Sequence, residues 1–355
     1  ARPGGGGIVT LPPILEARGL TKTFSSRRSV GDVVFRRPSE ELQALEGVSF
    51  QVVRGESLGI VGESGCGKST LARCLVGLYP PTSGQTVYEG TVFEHKRAFS
   101  DRKKIQIVFQ DPYSSLNARM TIGQALREVL AVHKVVASDR VAARAVELLA
   151  LVGLDSEIAN VYPRQLSGGQ RQRVNIARAL AVEPEVLIAD EPVSALDVSI
   201  QATVLNLLAS LRERLGLTLI LIAHDLSVVR YLCDRVAVMY MGRIVEMAPT
   251  ETLFEDPRHP YTQALLAAAP SLERKSRDDA RSIGGDPPSP FDLPEGCHFH
   301  PRCPMATDHC TTARPPLQEG PDDPGRQAAC HYAWEPPPSH HSPLIPREPR
   351  EENRR

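Results

Sequence analysis

Two things are missing from this 355-residue chain: a long apolar run and a charge excess of either sign. The longest apolar stretch, LTLILIA from Leu217 to Ala223, falls far short of the roughly 20 residues a spanning helix needs. Any membrane role is therefore expected to be peripheral. The formal net charge is −1, without the basic excess or stripe of a nucleic-acid binder, so no nucleic acid is expected as partner. The opening ARPGGGGIVTLPP lacks the apolar run of a secretory signal, which points to a cytoplasmic chain. There thiols stay reduced, and clustered cysteines suggest metal rather than disulfides. Apolar residues at 41% and charged residues at 23% supply a sizeable core. The length suits one large domain with an appendage, or two domains.

Hydrophobic periodicity organises the chain as α/β. Residues 1–13 are expected to be disordered, and Ser25 to Gln43 reads as an insertion between strand-like segments. GVSFQVV alternates as a half-buried strand, and SLGIVG reads as a buried one. A helical region covers about 115–165. Within it Val141, Ala145, Leu148, Leu149 and Val152 recur at helical spacing behind a Ser138 cap. Helices and strands then alternate: RQRVNIARALA, EVLIAD, SIQATVLNLLASLRERLG, LTLILIAH, then a helix and RVAVMYMG. The alternation predicts a mostly parallel sheet covered on both faces, within a body spanning 14–269. A Cys-rich region follows over 270–334, and 335–355 carries too little apolar surface to fold.

GESGCGKST, Gly62 to Thr70, matches G-x-x-x-x-G-K-[ST] after a strand and before a helix. Through Gly62, Glu63, Ser64, Gly65, Cys66 and Gly67 the backbone can curl its N–H groups around phosphate oxygens. Lys68 reaches the β- and γ-phosphates, and Ser69, beside Thr70, suits Mg²⁺. Cys66 reads as a small residue that fits, although a helix start can lower a thiol's pKa. VLIADEP ends a strand in two acids. Asp190 is expected to hold Mg²⁺ through water. Glu191 is expected to polarise the attacking water, the two diverging because strand residues alternate in direction. His224 ends LILIAH and is a γ-phosphate candidate. In LSGGQRQR, Ser167 and Gln170 fit a helix capping box. Gly168 and Gly169 are costly in a helix's first turn, a cost explained if an anion must approach the backbone closely.

Together these motifs resemble the ATP-binding subunits of ABC transporters. The resemblance runs from about Leu15 to Ala269 and implies a P-loop NTPase with a mixed sheet, an antiparallel β subdomain and a helical subdomain. It implies that Phe24 stacks on adenine. Gln110 would link Mg²⁺ and water to the helical subdomain, and Ser194 to Asp197 would communicate across a dimer. Leu166 to Gln170 would bind the γ-phosphate of ATP held by a partner chain, and His224 would be the switch histidine. QDPYSSLNARMTIG, ALDVSIQATVLNLL and VAVMYMGRIVEMAPTETLFEDPRHPYTQALLAAAP look like the oligopeptide/dipeptide importer branch. That branch implies ATP hydrolysis powering import at the cytoplasmic face of the membrane. Its partners would be two transmembrane permease subunits, a second and paralogous ATPase, and indirectly an extracytoplasmic solute-binding protein. Related importers for nickel or sugars, or a soluble ATPase unconnected with transport, are the alternatives. Val193 stands where Thr is usual and Ala118 where Pro is common; neither change removes a catalytic group.

Four of the seven cysteines, Cys297, Cys303, Cys310 and Cys330, lie in the tail region with intervals of 5, 6 and 19 residues. His298, His300, Arg302 and His309 are expected around them. The resemblance implies a [4Fe–4S] cluster on these thiols. Structural zinc is the alternative, although its cysteines are usually closer together. Cys74 and Cys233 are expected to be packing residues.

Overall fold

The computed structural model describes residues 12–25, 41–94, 97–111, 115–194, 196–268, 286–321 and 323–335. Most of the expected disorder at both ends and most of the insertion lie outside these ranges; Pro13, expected to be disordered, begins the first strand. The chain forms two compact units. Of the described residues, those within 1–21, 47–59 and 69–223 make one, and those within 22–46, 60–68 and 224–355 the other.

In the first unit, β1 (Pro13–Ser25) and β2 (Glu41–Val53) contribute most of their length to an antiparallel sheet with β4 (Ser83–Tyr88) and β5 (Thr91–Phe93). Val48, Phe50 and Val52 are buried between exposed neighbours, as the alternation predicts. The start of β3 (Ser57–Val61) heads a second sheet in the order β3-β8-β7-β6, where β6 is Ile105–Val108, β7 Val186–Asp190 and β8 Thr218–Ala223. β6, β7 and β8 run parallel, with Val186 facing Ile105 on one side and Thr218 on the other. Every residue of β7 and β8 is buried, which is why both read as unbroken apolar runs.

The helices of this unit begin with α1 (Lys68–Leu75), most of which lies here, followed by α2 (Ile122–Val132) and α3 (Val141–Leu151). Next come α4 (Gly168–Leu180) and α5 (Val198–Leu215). Thr121 opens α2 with a reciprocal capping box to Gln124. α3 buries Ala145, Leu148 and Leu149, the expected face. Its cap is not Ser138: Arg140 precedes the first helical residue and makes no side-chain cap bond. Burial of the apolar face, rather than a cap, sets this helix.

The second unit is antiparallel where the alternation alone predicted a mostly parallel sheet, in keeping with the mixed sheet that the resemblance implied. Its order is β11-β12-β10-β9, continuing to the end of β3, with β9 Arg235–Tyr240, β10 Arg243–Pro249, β11 Gln318–Gly320 and β12 Asp323–Ala328. The pairs β9–β10, β10–β12 and β11–β12 are all antiparallel. The reason is the two-residue turn Met241-Gly242, both left-handed at φ 43° and 79°. Such a turn makes a hairpin, and a parallel crossover needs a dozen residues or more. Its helices are α6 (Leu226–Leu232), α7 (Thr250–Glu255), α8 (Pro260–Ala268) and α9 (Asp308–Thr312). Cys233 is buried in this unit and Cys74 in the first, both as packing residues.

His259 gives the second unit an acid-sensitive core. Its N–H donates to the buried Glu246 carboxylate at 2.8 Å, and its Nδ1 accepts the Tyr261 N–H at 3.1 Å. Burial pushes the imidazole pKa down from 6.5 to about 3. The unfolded chain therefore takes up a proton near 6.5 that the fold refuses until about 3, and stability is lost as pH falls through that window. Glu246, raised by burial, acts in the opposite sense, so the test is a difference between proteins. Between about pH 7 and 5, His259→Gln is expected to lose about 2 kcal/mol less stability than the wild type in urea titrations. Equal losses would contradict the assignment.

Candidate functional site

The loop from Gly62 to Gly67 joins β3 to α1. Gly67 sits at φ 105°, and a Cβ there would lie 2.3 Å from the Ala44 carbonyl oxygen, so only glycine fits. The hairpin turn after β9 braces the loop, Gly242 N–H donating to the Cys66 carbonyl at 2.9 Å. Ser64 and Gly65 are exposed. The Lys68 Nζ is buried and donates to the Gly62 and Glu63 carbonyls at 2.7 and 2.9 Å. The ammonium is thus held by the loop it would serve.

Glu63 has a different part from the one expected. Its N–H donates to the Tyr261 hydroxyl at 2.9 Å, and its carboxylate accepts two bonds from Arg302 at 3.0 and 3.1 Å. Neither group is left for a phosphate. Tyr261 and Arg302 lie 198 and 239 residues away in sequence, and no local pattern marks them. Cys66 is 3% exposed. Burial pushes its thiol pKa up, only partly opposed by Lys68, so the lowering a helix start can cause does not occur. Phe24 is half-buried, with Lys22 Nζ 5.0 Å over its ring. His224 is exposed directly after β8, where Asp225 caps α6 through Ser227 N–H at 2.8 Å.

The first unit holds Ser69, Asp190 and Gln110, the expected oxygen ligands. Ser69 Oγ donates to Asp190 Oδ1 at 2.9 Å, and Thr70 follows, half-buried. Gln110 Nε2 donates to Glu191 Oε2 at 2.9 Å. Ser194 Oγ donates to the Glu191 carbonyl at 3.2 Å. Strand alternation does not separate the two acids as expected. β7 ends at Asp190, and Glu191 turns out of it in the left-handed region at φ 46°, its N–H donating to the Ile222 carbonyl. Holding a non-glycine residue there costs about 1–3 kcal/mol. Asp197 opens α5 with its backbone carbonyl, which accepts the Ile200 and Gln201 N–H groups.

Ser167 and Gln170 form the anticipated capping box at the head of α4, at 3.2 and 3.0 Å. The glycines have a cause within the chain. A Cβ on Gly169 would lie 2.4 Å from the Ile200 methyl, and one on Gly168 3.1 Å from a Leu196 methyl. Close packing of α5 accounts for Gly169 before any anion is invoked.

In the second unit Cys297, Cys303, Cys310 and Cys330 line one small cavity with His259, His300 and His331. Arg302 and His298 do not join them: Arg302 bonds Glu63, and His298 Nε2 faces Glu46 Oε2 at 3.7 Å. Burial, then the neighbouring thiols, push Cys303 and Cys330 up to about 12. The donor set suits a soft metal or an iron–sulfur group. Among the described residues, however, no three His, Cys, Asp or Glu side chains are arranged to hold an ion.

Comparison with known proteins agrees with this geometry. The ABC transporter family pattern matches residues 45–194, and that of the oligopeptide/dipeptide transporter C-terminal region matches 245–310. The dipeptide transport ATP-binding protein DppF of Haemophilus influenzae is 45% identical over 323 residues, 90% of this chain and 97% of DppF. Among solved structures, cbiO1 of Clostridium perfringens, part of the ABC transporter complex cbiONQ, aligns with TM-score 0.58 at 30% identity. The alignment covers 68% of this chain and 91% of cbiO1. The dimeric ABC transporter cassette MJ0796 aligns with TM-score 0.57 at 30% identity over 66% of this chain and 98% of its own. The chain belongs to the ABC transporter ATPases, in the oligopeptide/dipeptide branch.

Proposed function

We propose that this ATPase powers the import of oligopeptides or dipeptides as a peripheral subunit on the cytoplasmic face of a membrane transporter. Among the described residues no helix is long and apolar enough to cross a membrane, so the channel would come from two permease subunits. A second ATPase, paralogous to this chain, would complete the dimer, and a solute-binding protein would deliver the solute. The peptide reading rests on the relatives, DppF among them. Importers of nickel or sugars are the nearest alternatives.

The observation that carries the chemistry is the Gln110–Glu191 bond. It holds a carboxylate at the end of a buried strand, where it can polarise water for attack on the γ-phosphorus. The amides of Ser64, Gly65 and Gly67 and the Lys68 ammonium would take the phosphates, joined by the Cys66 amide once its 3.3 Å bond to the Glu63 carbonyl gives way. Phe24 would stack on adenine and His224 contact the γ-phosphate. Mg²⁺ would be held by Ser69, Asp190 and Gln110, a hard-oxygen set that fits it, and would neutralise charge on the phosphates. Ser167 to Gln170 would reach the ATP of the partner chain, so ATP closes the dimer and its hydrolysis opens it, with Asp197 at the crossing.

Purification of the Glu191→Gln chain from native membranes with ATP tests the reading. Two multi-spanning proteins and a second ATPase are expected to co-purify. A soluble partner alone would overturn the transport assignment.

The four tail thiols, gathered on one cavity, support a [4Fe–4S] cluster as our reading, with zinc as the alternative. Iron and labile sulfide in the anaerobically purified chain are expected; one zinc and no iron would favour the alternative, and neither would refute both.

A further inference from the structure

We propose that Arg302 is a positioning residue for the phosphate loop, through which the thiol-lined segment sets the affinity for nucleotide. This rests on the reading of Gly62 to Ser69 as the phosphate site. Arg302 closes the short 3₁₀ turn His300–Arg302 immediately before Cys303. Its side chain is 6% exposed and grips both carboxylate oxygens of Glu63, while Nη1 also donates to the Tyr240 hydroxyl at 3.3 Å. A two-pronged guanidinium–carboxylate pair fixes direction as well as distance.

Glu63 is therefore held at both ends, its carboxylate by Arg302 and its N–H by Tyr261. Its carbonyl is one of the two acceptors of Lys68, so the clamp on Glu63 also sets where the lysine ammonium rests. The clamp stands on a rigid base. Tyr240, Tyr261 and Phe299 pack with ring centroids 4.6, 5.3 and 5.5 Å apart. Phe299 also lines the thiol cavity. The segment thus preorganises the loop before nucleotide arrives, and preorganisation raises affinity by removing the cost of ordering on binding.

The test uses the full chain, with Mg-ATP binding measured by calorimetry and turnover measured alongside. Arg302→Met and Glu63→Gln are each expected to raise Kd by about tenfold. At saturating ATP the kcat of Arg302→Met is expected to stay within about twofold, and the Kd of Arg302→Lys to fall between those of wild type and Arg302→Met, since lysine supplies charge without the fork. The double variant is expected to be no worse than either single one, because the two residues act through one contact. Urea midpoints without nucleotide check folding; should Arg302→Met fold poorly, Glu63→Gln and Arg302→Lys carry the comparison. Unchanged Kd in these variants, or effects that multiply in the double variant, would overturn the proposal. Lys68→Ala separates the two levels. If it loses binding while the Arg302 and Glu63 variants keep it, only this inference fails. If Lys68→Ala itself binds normally, the phosphate-site reading fails with it.

Discussion

Glu191→Gln is expected to bind ATP as tightly as the wild type and to hydrolyse it at least about 100-fold more slowly. The substitution keeps the side chain's size and an oxygen that can accept the Gln110 bond. What it loses is the negative charge that draws a proton from water. The left-handed backbone at Glu191 makes this a sharp test, because the strain is retained in the variant. A slow variant that still binds reports chemistry, not misfolding. Single-turnover hydrolysis gives the rate, and size-exclusion chromatography with ATP is expected to show an accumulated dimer. Hydrolysis at the wild-type rate would remove Glu191 from its assigned role.

Lys68→Ala is expected to weaken Mg-ATP binding by about 100-fold or more, since it deletes a buried cation in the phosphate loop. Without nucleotide the loss falls on folding stability instead. The Gly62 and Glu63 carbonyls each lose one charged donor, worth about 1–3 kcal/mol apiece at most. Arginine should not restore binding. Lys68 is 5% exposed, and a planar guanidinium is larger than the ammonium and differs in shape. Calorimetric titration with Mg-ATP, set beside urea unfolding, separates affinity from stability. Binding within about threefold of wild type would exclude the lysine as a phosphate ligand.

Much of the site was legible beforehand because its signals are local. The spacing from Gly62 to Ser69, the acids after a buried strand and the Ser167–Gln170 box are each set within a few residues. There backbone geometry and side-chain type are directly coupled. The structure pairs Ser69 with Asp190 across 121 residues, the two residues proposed to share Mg²⁺. Where the reading was incomplete, the missing part was packing from a distance. The Met241-Gly242 turn adds an antiparallel hairpin that the alternation of helices and strands did not show. Gly169 answers to Ile200 on another helix. Glu63, taken as a phosphate contact, belongs to Arg302 and Tyr261.

The sequence by itself determined the chemistry: a phosphate loop with its lysine, two acids at a strand end, a second glycine-rich helix start and four tail cysteines. Only the tertiary structure decided how those parts are held. It brought the tail to the loop through Arg302, gathered the four thiols on one cavity and turned Glu191 out of its strand. Motif chemistry needs only neighbours along the chain, whereas a clamp formed by residues 239 apart exists only once folding has made them neighbours in space.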